Sequence, residues 1–194
     1  MPLRVIAGSA RGVELRTPPE TVTRPTSARL RESLFGMLEA ADTDLGAVLD
    51  LYAGSGALGI EALSRGSGRC VFVESSRRVC GVLRDNLGRA GVADRGEVVT
   101  ARVGRWRPPE GVAFSLVLAD PPYDVGGSWR AIEDTIEGAL APAALIAVEH
   151  SARSEAPPVL AGCPVWRQRR QGDGAVAAYR CAGSIGDQES GARS

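Results

Sequence analysis

Two short stretches carry residue types suited to transferring a group onto a flat amine. The first is Asp120-Pro121-Pro122-Tyr123. An exocyclic amine on a nucleobase is a poor nucleophile, because its lone pair is delocalised into the ring. Acceptors placed on its two N–H bonds draw the nitrogen toward tetrahedral geometry and free that lone pair. The Asp120 carboxylate and the Pro121 carbonyl are suitable acceptors. A double proline fixes where that carbonyl points, since proline holds the residue before it in extended geometry. A carboxylate also favours the positive charge that builds on the nitrogen. Tyr123 offers a flat face for stacking a base, a contact worth roughly 1–3 kcal/mol. Pro-Pro can equally be a plain strand-ending turn, but the preceding Asp and the following aromatic weigh against that.

The second stretch runs from Val48 to Gly59, an apolar strand followed by a glycine-rich turn and a helix. Glycines at 54, 56 and 59 match G-x-G-x-x-G, and Glu74 lies twenty positions past Gly54 at the end of the next apolar run. This pattern serves dinucleotides and S-adenosylmethionine (SAM) alike. Two features favour SAM. Asp50 stands inside the strand end, where a pyrophosphate-binding fingerprint usually has an apolar residue. Asp120 to Tyr123 has no role in hydride transfer. Asp50 is then expected at the ammonium end of SAM, and the Gly54–Gly56 backbone beside its methionine part. The free amides of the following helix suit its carboxylate, and Glu74 suits the ribose hydroxyls. Tyr52, Ala53 and Ser75 flank these positions and complete the expected cofactor set.

The elements that must hold these residues alternate. Strand ends are predicted near Tyr52, Glu74, Ala101, Ala119 and Glu149, and helices over 57–65, 77–90 and 128–140. That alternation implies right-handed crossovers and a parallel sheet covered on both faces. Ligands bind such sheets at the carboxyl ends of the strands. Asp50, Glu74, Asp120 and Glu149 all fall there, and four acids on one rim are hard to explain by packing. Residues 164–170 and 175–182 read as an antiparallel closing pair around a turn at 171–174.

Ahead of the sheet, Leu3 to Ala7 and Gly12 to Leu15 read as a hairpin outside the main fold. Ser27 is the expected N-cap of a helix whose apolar stripe is Leu30, Leu34, Met37, Leu38 and Ala41. Arg29, Arg31, Glu32 and Glu39 are assigned to its solvent face. Six arginines (4, 11, 16, 24, 29, 31) stand against Glu14 and Glu20 in this part. Residues 1–43 are therefore expected to form a basic arm, in which Arg4, Arg11, Arg24, Thr26, Arg29 and Arg31 contact phosphates. Residues 44–182 form the expected catalytic domain, and 183–194 a disordered tail.

Bulk composition sets limits. The chain has 194 residues, 44% hydrophobic and 24% charged, with zero formal net charge. That is the composition of one globular domain, and it carries no global basic signal for nucleic acid. No apolar run is long enough to span a membrane and no signal peptide is visible, so a cytoplasmic protein is expected. Every basic residue is arginine, which reads as codon bias. Cys70, Cys80, Cys163 and Cys181 are widely spaced without C-x-x-C pairing, so buried free thiols are expected and no metal site. His150 reads as a hydrogen-bonded strand-end residue, and Trp106, between Arg105 and Arg107, as structural. No coiled-coil pattern argues against a monomer.

Taken in order, these motifs resemble a known family. They include Arg4-Val5-Ile6-Ala7-Gly8 with Arg11-Gly12, then Arg24-Pro25-Thr26 and Arg29 to Phe35. Ala53 to Gly66 and Asp120-Pro121-Pro122-Tyr123 complete the series. The series is similar to the bacterial RsmD-type methyltransferases, which act on the N2 amine of guanine 966 in 16S ribosomal RNA. The resemblance spans about residues 3–182. It implies a Rossmann-like class I methyltransferase with a seven-stranded, mostly parallel sheet and an antiparallel last strand, preceded by an N-terminal hairpin and helix that hold RNA. It also implies SAM as cofactor, with Asp50, Gly54, Gly56 and Glu74 contacting it, and Asp120 to Tyr123 as the target-base site. The expected partner is 16S rRNA or an assembling 30S subunit. The chain departs from the pattern at Val99-Thr100-Ala101-Arg102-Val103, which has no acid or amide to read adenine, so backbone groups are expected to hold it. A DNA methyltransferase acting on adenine N6 or cytosine N4 would use the same Asp-Pro-Pro-Tyr chemistry. A non-catalytic RNA-binding module of this fold, and more distantly a nicotinamide-dependent dehydrogenase, are the remaining alternatives.

Overall fold

The computed structural model describes residues 2–18, 28–122 and 127–183. Ser27, Arg24, Thr26, Tyr123 and the tail from 184 lie outside the described residues. A short antiparallel hairpin opens the chain, with β1 (Leu3–Arg4) paired to β2 (Glu14–Leu15). Helix α1 (Ala28–Ala40) follows. Then come β3 (Ala47–Leu51), α2 (Ala57–Ser64), β4 (Arg69–Glu74), α3 (Arg77–Arg89) and β5 (Gly96–Thr100). The second half holds β6 (Phe114–Ala119), α4 (Ser128–Ile136), β7 (Leu140–Ser151), β8 (Val159–Leu160), β9 (Cys163–Gln171) and β10 (Gly174–Arg180).

The main sheet has the order β5-β4-β3-β6-β7-β10-β9-β8. Its first five strands are parallel and the last three antiparallel. Seven strands are of ordinary length, and β8 adds a two-residue edge. Strand order reverses at β3, whose two neighbours are β4 and β6, and this is where ligands enter such sheets. β6 reads FSLVLA and is buried throughout, as a central parallel strand must be when both faces are covered.

Two apolar layers enclose the sheet. On one face the hairpin, α1, α2 and α3 bury Leu34, Phe35, Ile60, Leu83 and Phe72 against the strands. On the other, α4 and the segment after β5 bury Ile132, Ile136 and Val103 against Leu49, Val117 and Tyr179. The hairpin lies outside the main sheet and is docked on the helices that cover it. The Glu61 carboxylate, fully buried on α2, accepts the Ile6 and Ala7 N–H groups at 2.7 and 3.0 Å. The Asn86 side chain of α3 accepts Arg16 N–H at 2.8 Å and donates to Arg16 O and Ser55 O.

Three expectations are corrected. Arg31 is not on a solvent face: it is 1% exposed, facing inward on the stripe of Leu34 and Leu38. Cys163 and Cys181 are not free thiols but form a disulfide across the ends of the β9–β10 hairpin, while Cys70 and Cys80 are free and buried. Helix α4 ends at Ile136 rather than near 140, because Gly138, at φ 71°, turns the chain into β7.

Candidate functional site

The cofactor turn is built by β3 and α2. Leu51 ends β3, and Tyr52 then takes a φ of 57°, a left-handed conformation that non-glycine residues seldom adopt without a reason at the site. Gly54 and Gly56 follow at φ 52° and 81°. A Cβ on Gly56 would lie 2.1 Å from Leu83 Cδ1, so α3 packs directly against the turn. A Cβ on Gly54 would meet only Tyr52 O, at 3.9 Å, so this glycine presents open backbone. At Gly59 a Cβ would fall 2.3 Å from Phe72 Cε1, so the third glycine sets helix–strand packing rather than ligand contact.

The acids converge on this turn. Asp50 is 1% exposed, and its carboxylate accepts the Gly59 N–H at 2.9 Å, tying strand to helix. Burial holds its carboxyl well above the usual carboxylate range. The Gly59 hydrogen bond opposes that shift, and the charges of Asp120 and Glu74 add to it. Glu74, ending β4, accepts Gly54 N–H at 3.1 Å through one oxygen and Ser76 N–H at 2.7 Å through the other, with the exposed Ser75 hydroxyl at 3.3 Å. Ala53 N–H donates to Val73 O at 3.1 Å and closes the turn onto β4.

Asp120 follows β6 directly, and its N–H reaches Leu51 O at 3.4 Å, beside the cofactor turn. Pro121 is buried and Pro122 exposed. Ala119 pairs with Val148, so Glu149, 7% exposed, stands next to Asp120 on the same rim. The Tyr52 hydroxyl is pushed up by burial, against a hydrogen bond with Ser128 and the charge of Arg102. Ser128, at the start of α4, is thus a rim residue that the sequence pattern did not flag. The backbone at 101–104 supplies the β5 side, where Ala101 N–H donates to Glu74 O and Gly104 N–H to Thr135 Oγ1.

An acid-lined rim, an open glycine backbone and the first turn of α2 suit a ligand with a sulfonium, an ammonium and a carboxylate. The donor set therefore fits SAM. Among the described residues no cluster of His, Cys, Asp and Glu could hold a metal ion, and no helix is long and apolar enough to cross a membrane.

The arginines of the N-terminal part are not gathered at one place. Arg4 pairs with Glu14 at 2.7 Å and donates to Gly12 O. Arg11 is exposed in the hairpin turn, which docks on Ser64 at the end of α2 away from the glycine turn. Arg29 is exposed. Arg16, just past β2, shares Asn86 with Ser55 of the cofactor turn, and its guanidinium pairs with Asp85 at 3.4 Å. Arg31 Nη2 donates to Arg4 O at 2.9 Å, and burial lowers its pKa while Glu61 and Glu149 favour its charge. Its role is internal. His150, lowered by burial, contacts Ser151 O and packs on Trp129 as a strand-end residue. Trp106 is packed against the second apolar layer.

A family model described as conserved hypothetical protein 95 matches residues 3–180. Ribosomal RNA small subunit methyltransferase D of Escherichia coli K12 is 35% identical over 183 residues, 92% of this chain and 89% of that protein. The solved structure of a putative methyltransferase from Escherichia coli superposes with a TM-score of 0.78 at 32% identity, covering 94% of this chain and 99% of that one. An RNA methyltransferase from Salinibacter ruber, solved with S-adenosyl-L-homocysteine, gives a TM-score of 0.60 over 84% of this chain and 97% of that one. At 22% identity that likeness is one of fold.

Proposed function

We propose, for a chain that belongs to the conserved hypothetical protein 95 family with the RsmD-type ribosomal RNA methyltransferases, that its acid-lined rim methylates the N2 amine of a guanine in 16S rRNA. The chain is a SAM-dependent methyltransferase of ribosomal RNA. The finer reading is a guanine of the 966 type, presented by an assembling small subunit to a monomeric cytoplasmic enzyme. The observation that carries it is the approach of Asp120-Pro121-Pro122 to the Gly54–Gly56 turn, through Asp120 N–H and Leu51 O.

When bound, SAM supplies an electrophilic methyl on a positively charged sulfur. Asp50 and the Gly54–Gly56 backbone would hold its amino-acid end, Glu74 its ribose, and Tyr52, Ala53 and Ser75 the flanks. The Asp120 carboxylate and the Pro121 carbonyl accept the two N–H groups of the guanine amine and aim its lone pair. The proton the amine releases passes to Asp120 or to water. Pro122 stiffens the loop, and Tyr123 stacks on the base. The base must be flipped or single-stranded, because stacking otherwise shields the amine. Arg4, Arg11, Arg24, Thr26 and Arg29 are proposed to contact phosphates, and Arg16 joins them.

The test is nucleoside mass spectrometry of 16S rRNA from cells with and without the gene, paired with methylation assays on particles, naked 16S rRNA and duplex DNA. The reading expects N2-methylguanine lost at one position and restored in vitro on particles. Methylation of duplex DNA adenine or cytosine, with rRNA unchanged, overturns it.

A further inference from the structure

The β9–β10 hairpin carries a concentration of positive charge that the site described above does not use. Residues 163–183 contain Arg167, Arg169, Arg170 and Arg180 against one acid, Asp173, a net +3 in a chain whose total is zero. Asp173 itself faces Arg153 at 3.9 Å. Arg167, Arg169 and Arg170 are exposed, and none has an ion-pair partner among the described residues. Two of the cations are held in place: the guanidiniums of Arg167 and Arg180 each sit 4.4 Å from the Trp166 ring centroid. A guanidinium stacked on an indole keeps its charge and the N–H groups at its rim, and loses less freedom when a phosphate binds.

Register places the Arg169–Arg170 end of this charge beside the reacting rim, with Arg167 and the Trp166–Arg180 stack further along the strands. Arg169 pairs with Val176, Val176 with Glu149, and Glu149 stands next to Asp120. Three strand spacings separate Arg169 from Asp120, roughly 14 Å at about 4.8 Å per strand. Cross-strand partners point to the same face, so the Arg169 side chain shares the face of Val176, in the layer that α1 covers further along.

Charge on a sheet edge also discourages edge-to-edge pairing, and β8 pairs only with Cys163 and Pro164 of β9. Either sign of charge would serve that purpose, and it would not require cations docked on a tryptophan. We infer that the β9–β10 hairpin is a second RNA-binding surface. It engages the phosphates of the strand that leads to the target base, a few nucleotides from the base held at Asp120. The inference rests on the rRNA reading above.

The test compares wild type, Arg167→Gln/Arg169→Gln/Arg170→Gln and Arg167→Lys/Arg169→Lys/Arg170→Lys in steady-state methylation of 16S rRNA particles and in RNA binding across a salt series. Melting midpoints serve as the fold check. The glutamine variant is expected to raise the KM for RNA at least tenfold with kcat and SAM affinity unchanged. Its plot of log affinity against log salt should be shallower by about 2 if three single-strand phosphate contacts are lost. The lysine variant keeps the charge and should keep the wild-type salt slope. An unchanged RNA KM and salt slope in the glutamine variant, with wild type active, overturns the hairpin inference alone. Wild-type protein that neither binds nor methylates rRNA overturns both readings.

Discussion

The Gly54 N–H donates to the Glu74 carboxylate at 3.1 Å, joining the first glycine of the cofactor turn to the acid that ends the neighbouring strand. The bond fixes the turn against β4 and places a carboxylate at its mouth, while the other oxygen caps the approach to α3 through Ser76 N–H at 2.7 Å. Hydrogen bonds to charged groups contribute about 1.5–3 kcal/mol each. Glu74→Ala is therefore expected to weaken SAM binding about 10- to 100-fold by calorimetry. Unaltered SAM affinity would remove Glu74 from the cofactor site.

Asp50 yields a prediction in pH. Its carboxyl is held well above 3.8, first by burial. An acid whose folded pKa is raised binds more protons in the native than in the unfolded state across the interval between the two values. Stability therefore falls as pH rises through that interval, and the loss is complete above the folded pKa. Asp50→Asn keeps an oxygen for Gly59 N–H but removes the buried charge. Thermal melts should show a variant at least as stable as wild type at neutral pH, with a flatter pH dependence above 3.8. The same variant should lose the stabilisation that SAM gives wild type. A variant less stable at neutral pH and still stabilised by SAM would refute this assignment.

For Asp120 the expectation separates binding from chemistry. The residue sits past the end of β6 with its N–H on Leu51 O, so truncating its side chain leaves that strand end in place. Losing one preorganised acceptor that acts on charge developing in the transition state costs roughly 10²–10³ in kcat. Asp120→Ala should lose that much in single-turnover methylation and bind SAM normally. A full-rate Asp120→Ala enzyme would place the chemistry elsewhere.

Much of this site could be read from the chain because its local rules are strict. Left-handed turns at Gly54 and Gly56 need glycine, and the acids ending successive strands must share a rim once the strands are parallel. At Arg31 the helical period prevails over the charge. Arg31 stands three residues before Leu34 and seven before Leu38, so the helical stripe already pointed it inward. The buried Glu61 and Glu149 that favour its charge come from distant parts of the chain, and no local pattern announces them. The disulfide had a quieter signal. Cys163 and Cys181 lie nine residues on either side of Gly172, in the hairpin turn, so folding the hairpin brings them together.

That disulfide closes a loop with a sequence separation of 18 residues. Constraining an unfolded loop of this size contributes about 3 kcal/mol. Cys163→Ser/Cys181→Ser, or wild type melted in reductant, should lose roughly that much in urea unfolding. Methylation at low temperature should be unaffected, since the bridge is at the end of β9 and β10 away from the rim. Equal urea midpoints with and without reductant would show that the bridge adds no stability.

Arg31 gives the largest expected loss of stability. Its Nη2 holds Arg4 O at 2.9 Å, which links α1 to the hairpin, while its charge faces Glu61 and Glu149 on α2 and β7. Removing one member of a buried charge set costs up to about 3–5 kcal/mol, with Glu61 still held by Arg65 at 2.8 Å and by the Ile6 and Ala7 N–H groups. Arg31→Ala should lose that much in urea unfolding, far more than an exposed arginine such as Arg29. Glu149→Gln in the Arg31→Ala background removes one negative charge beside the position Arg31 vacated and should return part of the loss. The cycle over the four proteins should give a coupling of about 0.5–3 kcal/mol. Strict additivity would mean that Arg31 and Glu149 do not interact, leaving Glu61 and the Arg4 carbonyl as the partners of Arg31.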